Sequence, residues 1–344
     1  MRILFLLMAF TFTLGTHLNA GGLTLTSQAS SAGYSLTTFA SGFPSAFGLG
    51  PLGITFTDNS HVLVSDYGGD MRVFSNSDGQ LAGSPTASYG GPLTSVGLAT
   101  LDGHTYLADR ARSRIIEVSS TGVLVKSIVT NIGAPTGLVA NPLDHTLLFG
   151  DPFGGQGIFR VDPTLQTTQR VLTSNDHIDG LAFDAATGRL YVAAASAGGG
   201  GHVLGYDSSF NKVFDSGPIN AADSSIDGLA LGHGGLSGNI YVNTNDGQFI
   251  QVNLGTSVQT VIANGGSRGD FVAVAPDGTL LITQTDSILR LRAPTGGGFG
   301  DPATVPEPSN LLVFSALVLL GFVHLSCKSC RKDSKGYELV LHRR

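Results

Sequence analysis

The sequence predicts an all-β fold, a six-bladed β-propeller, and two observations carry this prediction. A glycine followed by a short apolar run recurs six times, with the glycines spaced 44, 40, 43, 48 and 41 residues apart. Two further apolar runs follow each glycine in a fixed order, as expected for repeating units that each form one four-stranded sheet. Six such units account for most of the 344 residues.

The three runs of each unit differ in pattern. The first runs are 53–56, 97–99, 137–140, 180–183, 228–231 and a degenerate sixth copy at 269–274. The second runs are 62–64, 106–108, 147–149, 190–192, 240–242 and 280–282, and the third runs are 71–74, 115–118, 158–161, 203–206, 249–252 and 288–291. The inner runs are continuously apolar because stacked blades bury both faces of a sheet, whereas the third runs alternate as they begin to meet solvent.

The sixth unit lacks a fourth strand. After Arg292 the chain enters a Pro- and Gly-rich segment, 294–298, which does not favour continuation of the sheet. The Thr-rich segment 34–41 precedes the first unit and has no blade of its own. We therefore expect it to pair with the last blade and close the ring. A β-helix or a pair of sandwiches also contains short strands, but neither predicts this long period with three ordered runs.

The first twenty residues indicate export. Arg2, an apolar run and a small-residue exit at Ala20 predict a cleaved signal peptide over residues 1–20, with an N-terminal anchor or a buried strand as the alternatives. Residues 21–33 are then an N-terminal linker, and residues 34–300 form the propeller.

The C-terminal residues carry a second targeting signal. They comprise a Pro-rich linker (301–310) with Pro306, Glu307 and Pro308, an apolar run (311–327) and a basic tail (328–344). The apolar run followed by Lys and Arg predicts one transmembrane helix with its basic end in the cytoplasm. This order resembles the PEP-CTERM sorting signal. The resemblance implies transient anchoring in the inner membrane, recognition by exosortase-type machinery, cleavage near the motif, and transfer to the cell surface or medium. Because the chain continues to Arg344, further than such tails usually do, retention as an anchor is the alternative.

Charge and cysteine usage exclude several function classes. Residues 21–326 contain 12 Lys and Arg against 23 Asp and Glu, a net charge of −11. So acidic a body excludes nucleic acid as a partner. Cys327 and Cys330, the only cysteines, follow the apolar tail run, so the body has neither a disulfide nor a thiol-ligated metal.

The repeat resembles that of a known group of propellers. The second unit shows it best, in residues 96–99, 106–109 and 114–118. This pattern resembles NHL-type repeats and the regucalcin/gluconolactonase-like propellers over about residues 45–292. The resemblance implies the six-bladed fold, and it says little about activity, because propellers host many functions.

Three aspartates at matching repeat positions are candidate metal ligands. Asp179 and Asp227 each precede the repeat glycine, and Asp270 begins the sixth inner strand. Equivalent positions on innermost strands converge at one mouth of the central channel, and converging carboxylates suit Ca²⁺. The family resemblance implies ligands at the positions of Asp179 and Asp227, but Leu52 stands where the family has a first-blade Glu, and Thr136 occupies the third-blade position. The alternative is that each Asp accepts hydrogen bonds in a strand-entry turn.

Two other sets of residues lie near the same mouth. Asp66, Asp109 and Asp151 each follow a second strand and match the NHL-type Asp, for which we expect a turn-capping role. His177, two residues before Asp179, is a candidate base or a solvated side chain.

The function predicted from these patterns is binding. The incomplete set of metal ligands favours a surface-associated protein that binds an unknown extracellular ligand, with no catalytic residue assigned. The alternative is a Ca²⁺-dependent, lactonase-like hydrolase or lyase that acts at the channel mouth.

Overall fold

The computed structural model describes residues 22–57, 59–152, 157–196, 199–219 and 225–300. The predicted signal peptide lies outside these residues, as do the sorting motif, the apolar helix and the basic tail. Within the described ranges, no helix is both long enough and apolar enough to cross a membrane.

The described residues form twenty-seven strands and one short helix. The first elements are β1 (Thr24–Leu25), α1 (Ser27–Ala32) and β2 (Ser35–Ser41). Blade one contains β3 (Pro51–Phe56), β4 (Val62–Asp66), β5 (Asp70–Phe74) and β7 (Ala87–Ser88), with β6 (Gln80–Leu81) in between; blade two contains β8 (Leu98–Leu101), β9 (His104–Asp109), β10 (Arg114–Val118) and β11 (Leu124–Thr130). Blade three contains β12 (Leu138–Asn141), β13 (Thr146–Asp151), β14 (Gly157–Asp162) and β15 (Thr167–Thr173); blade four contains β16 (His177–Asp184), β17 (Arg189–Ser196), β18 (Gly199–Tyr206) and β19 (Lys212–Ile219). Blade five contains β20 (Ile226–Gly234), β21 (Asn239–Thr244), β22 (Phe249–Asn253) and β23 (Gln259–Asn264); blade six contains β24 (Val272–Val274), β25 (Leu280–Thr283) and β26 (Ser287–Arg292), and β27 (Gly297–Phe299) follows.

The six sheets form a closed ring, which confirms the predicted six-bladed propeller. Each innermost strand contacts the innermost strand of the next blade, in the order β3, β8, β12, β16, β20, β24 and back to β3. Every residue of β4 and of β13 is buried, because both faces of these strands pack against neighbouring blades. The outer strand β11 begins with four exposed residues, where the sheet meets solvent.

The strand β2 closes the ring, as the sequence predicts. It pairs antiparallel with β26, from Ser35 opposite Arg292 to Ser41 opposite Ser287. Its Phe39 and Ala40 are fully buried in the core shared by blades six and one. On its other side the end of β2 pairs parallel with β6, at Ala40 and Ser41.

Asp78 binds donors from the two strands that meet at the closure. Its carboxylate accepts hydrogen bonds from Thr37 Oγ1 at 2.7 Å, Arg290 Nε at 2.7 Å and Arg292 Nη2 at 2.9 Å. Burial alone would raise the pKa of Asp78, but these hydrogen bonds outweigh it and hold the pKa below its ordinary value. The ionised form of Asp78 therefore stabilises the folded state. This contribution is fully present when the pH is above the pKa that Asp78 has in the unfolded chain, and it is lost as the pH falls through the lower pKa of the folded state.

Two segments beside the blades form structure that the sequence patterns do not indicate. The predicted linker 21–33 contains α1, whose N-cap is Thr26, and β1, which pairs with β23 at the outer edge of blade five. The Gly-rich segment after Arg292 does not extend blade six, but it forms β27 along β20 of blade five. The side chain of Phe299 anchors β27 there, because it is fully buried and its aromatic ring packs edge-on against that of Tyr241. The two ring centroids are 4.9 Å apart.

The repeat glycines allow neighbouring blades to approach closely around the channel. A Cβ atom on Gly137 would lie 1.9 Å from the carbonyl oxygen of Asp179 in the next blade, and a Cβ on Gly180 would lie 1.4 Å from that of Asp227. These distances are far inside van der Waals contact, so a side chain does not fit there. The same contact recurs at Gly53, Gly97 and Gly228. The residues that precede these five glycines, together with Asp270 of blade six, therefore occupy successive positions of one ring.

Candidate functional site at the channel mouth

The channel mouth is the end of the propeller where the innermost strands begin, and each blade contributes one residue to it. In ring order these are Leu52, Val96, Thr136, Asp179, Asp227 and Asp270. The first two are buried apolar side chains, and the last three are carboxylates in adjacent blades. The mouth is thus apolar on the side of blades one and two and acidic on the side of blades four to six.

Arg268 joins the acidic side of the mouth. It precedes β24, and its Nη2 lies 2.9 Å from Asp270 Oδ1 and 3.4 Å from Asp227 Oδ2. The two carboxylate residues are only 5% and 3% exposed, whereas about a third of the arginine side chain remains accessible. One guanidinium therefore bridges the buried carboxylates of blades five and six.

The pKa of Asp227 is raised well above its ordinary value. Burial is the largest cause, followed by the negative charges of Asp179 and Asp270, while the charge of Arg268 opposes the shift. Asp227 also shares a hydrogen bond with Asp270, which favours its protonated form. Burial by itself would lower the pKa of Arg268, but the neighbouring carboxylates raise it, so this guanidinium keeps its charge. Burial and the neighbouring carboxylates therefore favour the protonated form of Asp227, while Arg268 keeps its positive charge.

Asp179 presents an unpartnered acceptor. Burial raises its pKa, the hydrogen bond with Thr136 lowers it, and the charge of Asp270 raises it again. Although the residue as a whole is partly exposed, its Oδ1 atom is buried and has no hydrogen-bond partner among the described protein groups. Arg110 is near enough for its charge to interact with that of Asp179.

Two asparagines of blade five add further acceptors. Asn243 is fully buried, and its Nδ2 donates to the carbonyl oxygens of Asp270 and Thr283, both at 3.1 Å. The Oδ1 atoms of Asn243 and Asn245 are buried without a donor in the part of the chain that the structure covers. Neither asparagine was singled out from the sequence. They flank Thr244, which occupies the position in blade five where other blades place Asp66 or Asp109, and this was the available signal.

The predicted turn-capping role is confirmed for two of the NHL-type aspartates. Asp66 is buried, pairs with Arg72 and accepts a hydrogen bond from the backbone of Asp70. Asp109 is buried, accepts from the backbone of Arg112 at 3.1 Å and pairs with Arg114 at 2.8 Å. Asp151 is fully buried at the equivalent position, while His177 is exposed at the start of β16.

The predicted calcium ligands lie at one mouth, but their arrangement does not fit a bound divalent ion. Ca²⁺ requires several oxygen ligands at about 2.3–2.6 Å. Arg268 already places a positive charge beside Asp227 and Asp270, and a divalent ion at the same place would be repelled by it. Within the described residues, no group of three or more His, Cys, Asp or Glu side chains is arranged to hold a metal ion.

Comparison with known proteins adds information on the fold. No family model matches this chain, and none of the curated proteins matches it. Among solved structures, it is similar to a gluconolactonase from Xanthomonas campestris, with a TM-score of 0.61 and 16% identity over 80% of this chain and 96% of that chain. It is also similar to a glucose dehydrogenase-type oxidoreductase from Thermus thermophilus (TM-score 0.54, 16% identity, 76% of this chain and 100% of that chain). A streptogramin B lyase gives a TM-score of 0.51 at 10% identity, over 75% of this chain and 97% of that chain. At such low identity, these similarities show that the chain shares the propeller fold of gluconolactonase-like and lyase-like enzymes.

Proposed function

We propose that this chain is an exported propeller that binds a small, hydroxyl-rich ligand at its channel mouth. The observation that carries the proposal is that three buried acceptors in blades four and five, the Oδ1 atoms of Asp179, Asn243 and Asn245, have no donor among the residues that the structure describes. Leaving a buried acceptor unpaired costs about 1–3 kcal/mol. A ligand that supplies O–H donors to these atoms recovers that free energy when it binds.

The charge of the mouth favours a neutral ligand over an anion. Arg268 is already paired with Asp227 and Asp270, so little of its charge is available to a ligand. The remaining carboxylate of Asp179 repels anions. On the opposite side of the mouth the corresponding residues, Leu52 and Val96, are apolar, which is also compatible with an uncharged ligand.

Binding of a sugar-like ligand can be tested with the full mature chain. We expect at least one member of a panel of monosaccharides, oligosaccharides and sugar lactones to raise the melting temperature, because a ligand that binds only the folded state stabilises it. Asp179→Asn should weaken binding about 10- to 100-fold, since a hydrogen bond to a charged group contributes about 1.5–3 kcal/mol. Isothermal titration calorimetry measures this change.

The matched control is Asp102→Asn, which changes an exposed aspartate in the turn between β8 and β9, at the other end of the propeller. This variant should bind as the wild type does. A panel without a single binder, or equal binding by the Asp179→Asn variant and the wild type, would contradict the proposal.

Lactone hydrolysis is the second candidate function, and Asp227 favours it. Burial and the neighbouring carboxylates raise the pKa of Asp227, which favours its protonated form, so this group is a candidate proton donor to the leaving oxygen of a lactone. The sugar lactones of the panel distinguish the two functions, because hydrolysis releases acid whereas binding alone does not. Release that persists in an Asp227→Asn variant would exclude this assignment.

Export and sorting are part of the same proposal and are supported by residues 1–20 and by Pro306, Glu307 and Pro308. Gly300, whose N–H donates to the carbonyl oxygen of Leu231 near the end of β20, lies at the end of the propeller opposite the mouth.

In a host that contains an exosortase, we expect the released protein to lack all residues after about position 308. Intact-mass measurement of the surface or secreted protein checks this. Replacing Pro306, Glu307 and Pro308 together with alanine should leave the uncleaved tail in place. Released wild-type protein that still ends at Arg344 would be incompatible with sorting by this signal.

A further inference from the structure

The acidic side of the mouth requires a positive charge. Asp227 and Asp270 come from different blades, are almost completely buried, and share a hydrogen bond. Two buried carboxylates whose charges interact repel each other when both are ionised, unless a cation lies between them. In a propeller mouth this cation can be a metal ion or a basic side chain.

We propose that Arg268 is a built-in cation that takes the place of a metal ion and joins blades five and six. Its guanidinium approaches Asp270 with both Nε, at 3.3 Å, and Nη2, at 2.9 Å. The same Nη2 reaches Asp227, forty-one positions earlier in the chain, at 3.4 Å. A planar guanidinium with several fixed donors suits such a bridge better than a lysine ammonium does.

Removal of the guanidinium exposes a latent cation site. Asp227 and Asp270 then face each other without a counter-charge, and the charge of Asp179 acts on both. Asn243 offers a neutral oxygen nearby. Its Nδ2 donates a hydrogen bond to the carbonyl oxygen of Asp270, and its Oδ1 has no partner among the described residues. Carboxylate and amide oxygens in a flexible arrangement are the ligands that Ca²⁺ accepts. Calcium dependence is therefore expected only in a variant without Arg268.

Thermal denaturation of the full mature chain tests this inference, with CaCl₂ titrated and then removed with a chelator. The wild-type melting temperature should not respond to calcium beyond the effect of an equal ionic strength of NaCl. The Arg268→Ala variant should melt several degrees lower and regain a substantial part of that loss in millimolar CaCl₂, reversibly. The matched control is Arg112→Ala, which removes an arginine from Asp109 at the same end of the propeller and should not respond to calcium.

Each outcome bears on the inference. A saturable rise of the wild-type melting temperature with calcium, abolished in Asp227→Asn, would overturn it, as would an Arg268→Ala variant that is destabilised but unaffected by calcium. If Arg268→Ala does not fold without calcium, recovery of the fold in calcium supports the inference, and absence of recovery contradicts it. Arg268→Lys, which keeps the charge, should fold and remain insensitive to calcium. Because no sugar is present, failure of this inference is distinguishable from failure of the proposed function.

Discussion

Replacing Phe39 with alanine is expected to lower the free energy of unfolding by about 3–5 kcal/mol. Phe39 is fully buried in the closing strand β2, where its ring packs edge-on against Phe74 at 5.8 Å and lies 5.1 Å from the guanidinium carbon of Arg290. Truncation leaves a cavity at the point where the ends of the ring meet. Because closure of the ring completes the stacking of blades six and one, the loss should appear as destabilisation of the whole propeller.

Chemical denaturation followed by circular dichroism measures this loss. The control is Thr38→Ala in the same strand, at an exposed position, which should change stability by no more than about 0.5 kcal/mol. A chain that begins at Phe43 lacks β2 altogether and should melt far below the mature protein. Equal melting temperatures for these two chains would show that β2 does not close the ring.

The second large effect is expected for Gly180→Ala, which should destabilise the protein by about 3 kcal/mol or more. The added Cβ would lie 1.4 Å from the carbonyl oxygen of Asp227 and 2.5 Å from its carbonyl carbon. Both atoms belong to the backbone of the next inner strand, so the clash can be relieved only by moving blades four and five apart.

Gly255→Ala is the matched control for this substitution. Its Cβ would meet only the Oδ1 of Asn253, at 3.5 Å, which is an ordinary contact in a surface turn. We expect this variant to unfold within about 0.5 kcal/mol of the wild type. If the two alanine variants have the same stability by denaturant titration, the close approach of the blades is not a requirement of the fold.

The fold was predictable because every blade has the same packing requirements, and these recur in the sequence once per blade. A glycine is required wherever an inner strand touches the next one, so residues such as Gly137 and Gly180 recur at the spacing of the blades. The closing role of β2 was predictable by elimination, since one strand lacked a blade and one blade lacked a strand. The addition of β27 to blade five was not, because its three residues include two glycines and depend on the burial of Phe299.

The candidate site was predictable only in part. Matching repeat positions identified Asp179, Asp227 and Asp270, because equivalent residues of a propeller converge at one mouth. Arg268 lies in a loop of small residues between β23 and β24, and no pattern relates it to Asp227. Its bridge between two blades is a tertiary contact, and the calcium prediction could not take it into account.

The central claim is that the guanidinium of Arg268, and not a metal ion, bridges Asp227 and Asp270 at the channel mouth. Elemental analysis of the purified mature protein tests this claim directly. The wild-type protein and the Asp227→Asn variant are each dialysed against calcium and then passed rapidly through a metal-free column that removes loosely bound ions. The arginine bridge predicts calcium well below one equivalent per chain, with no difference between the two proteins. One tightly held equivalent in the wild type that is absent from Asp227→Asn would contradict it and identify the mouth as a metal centre.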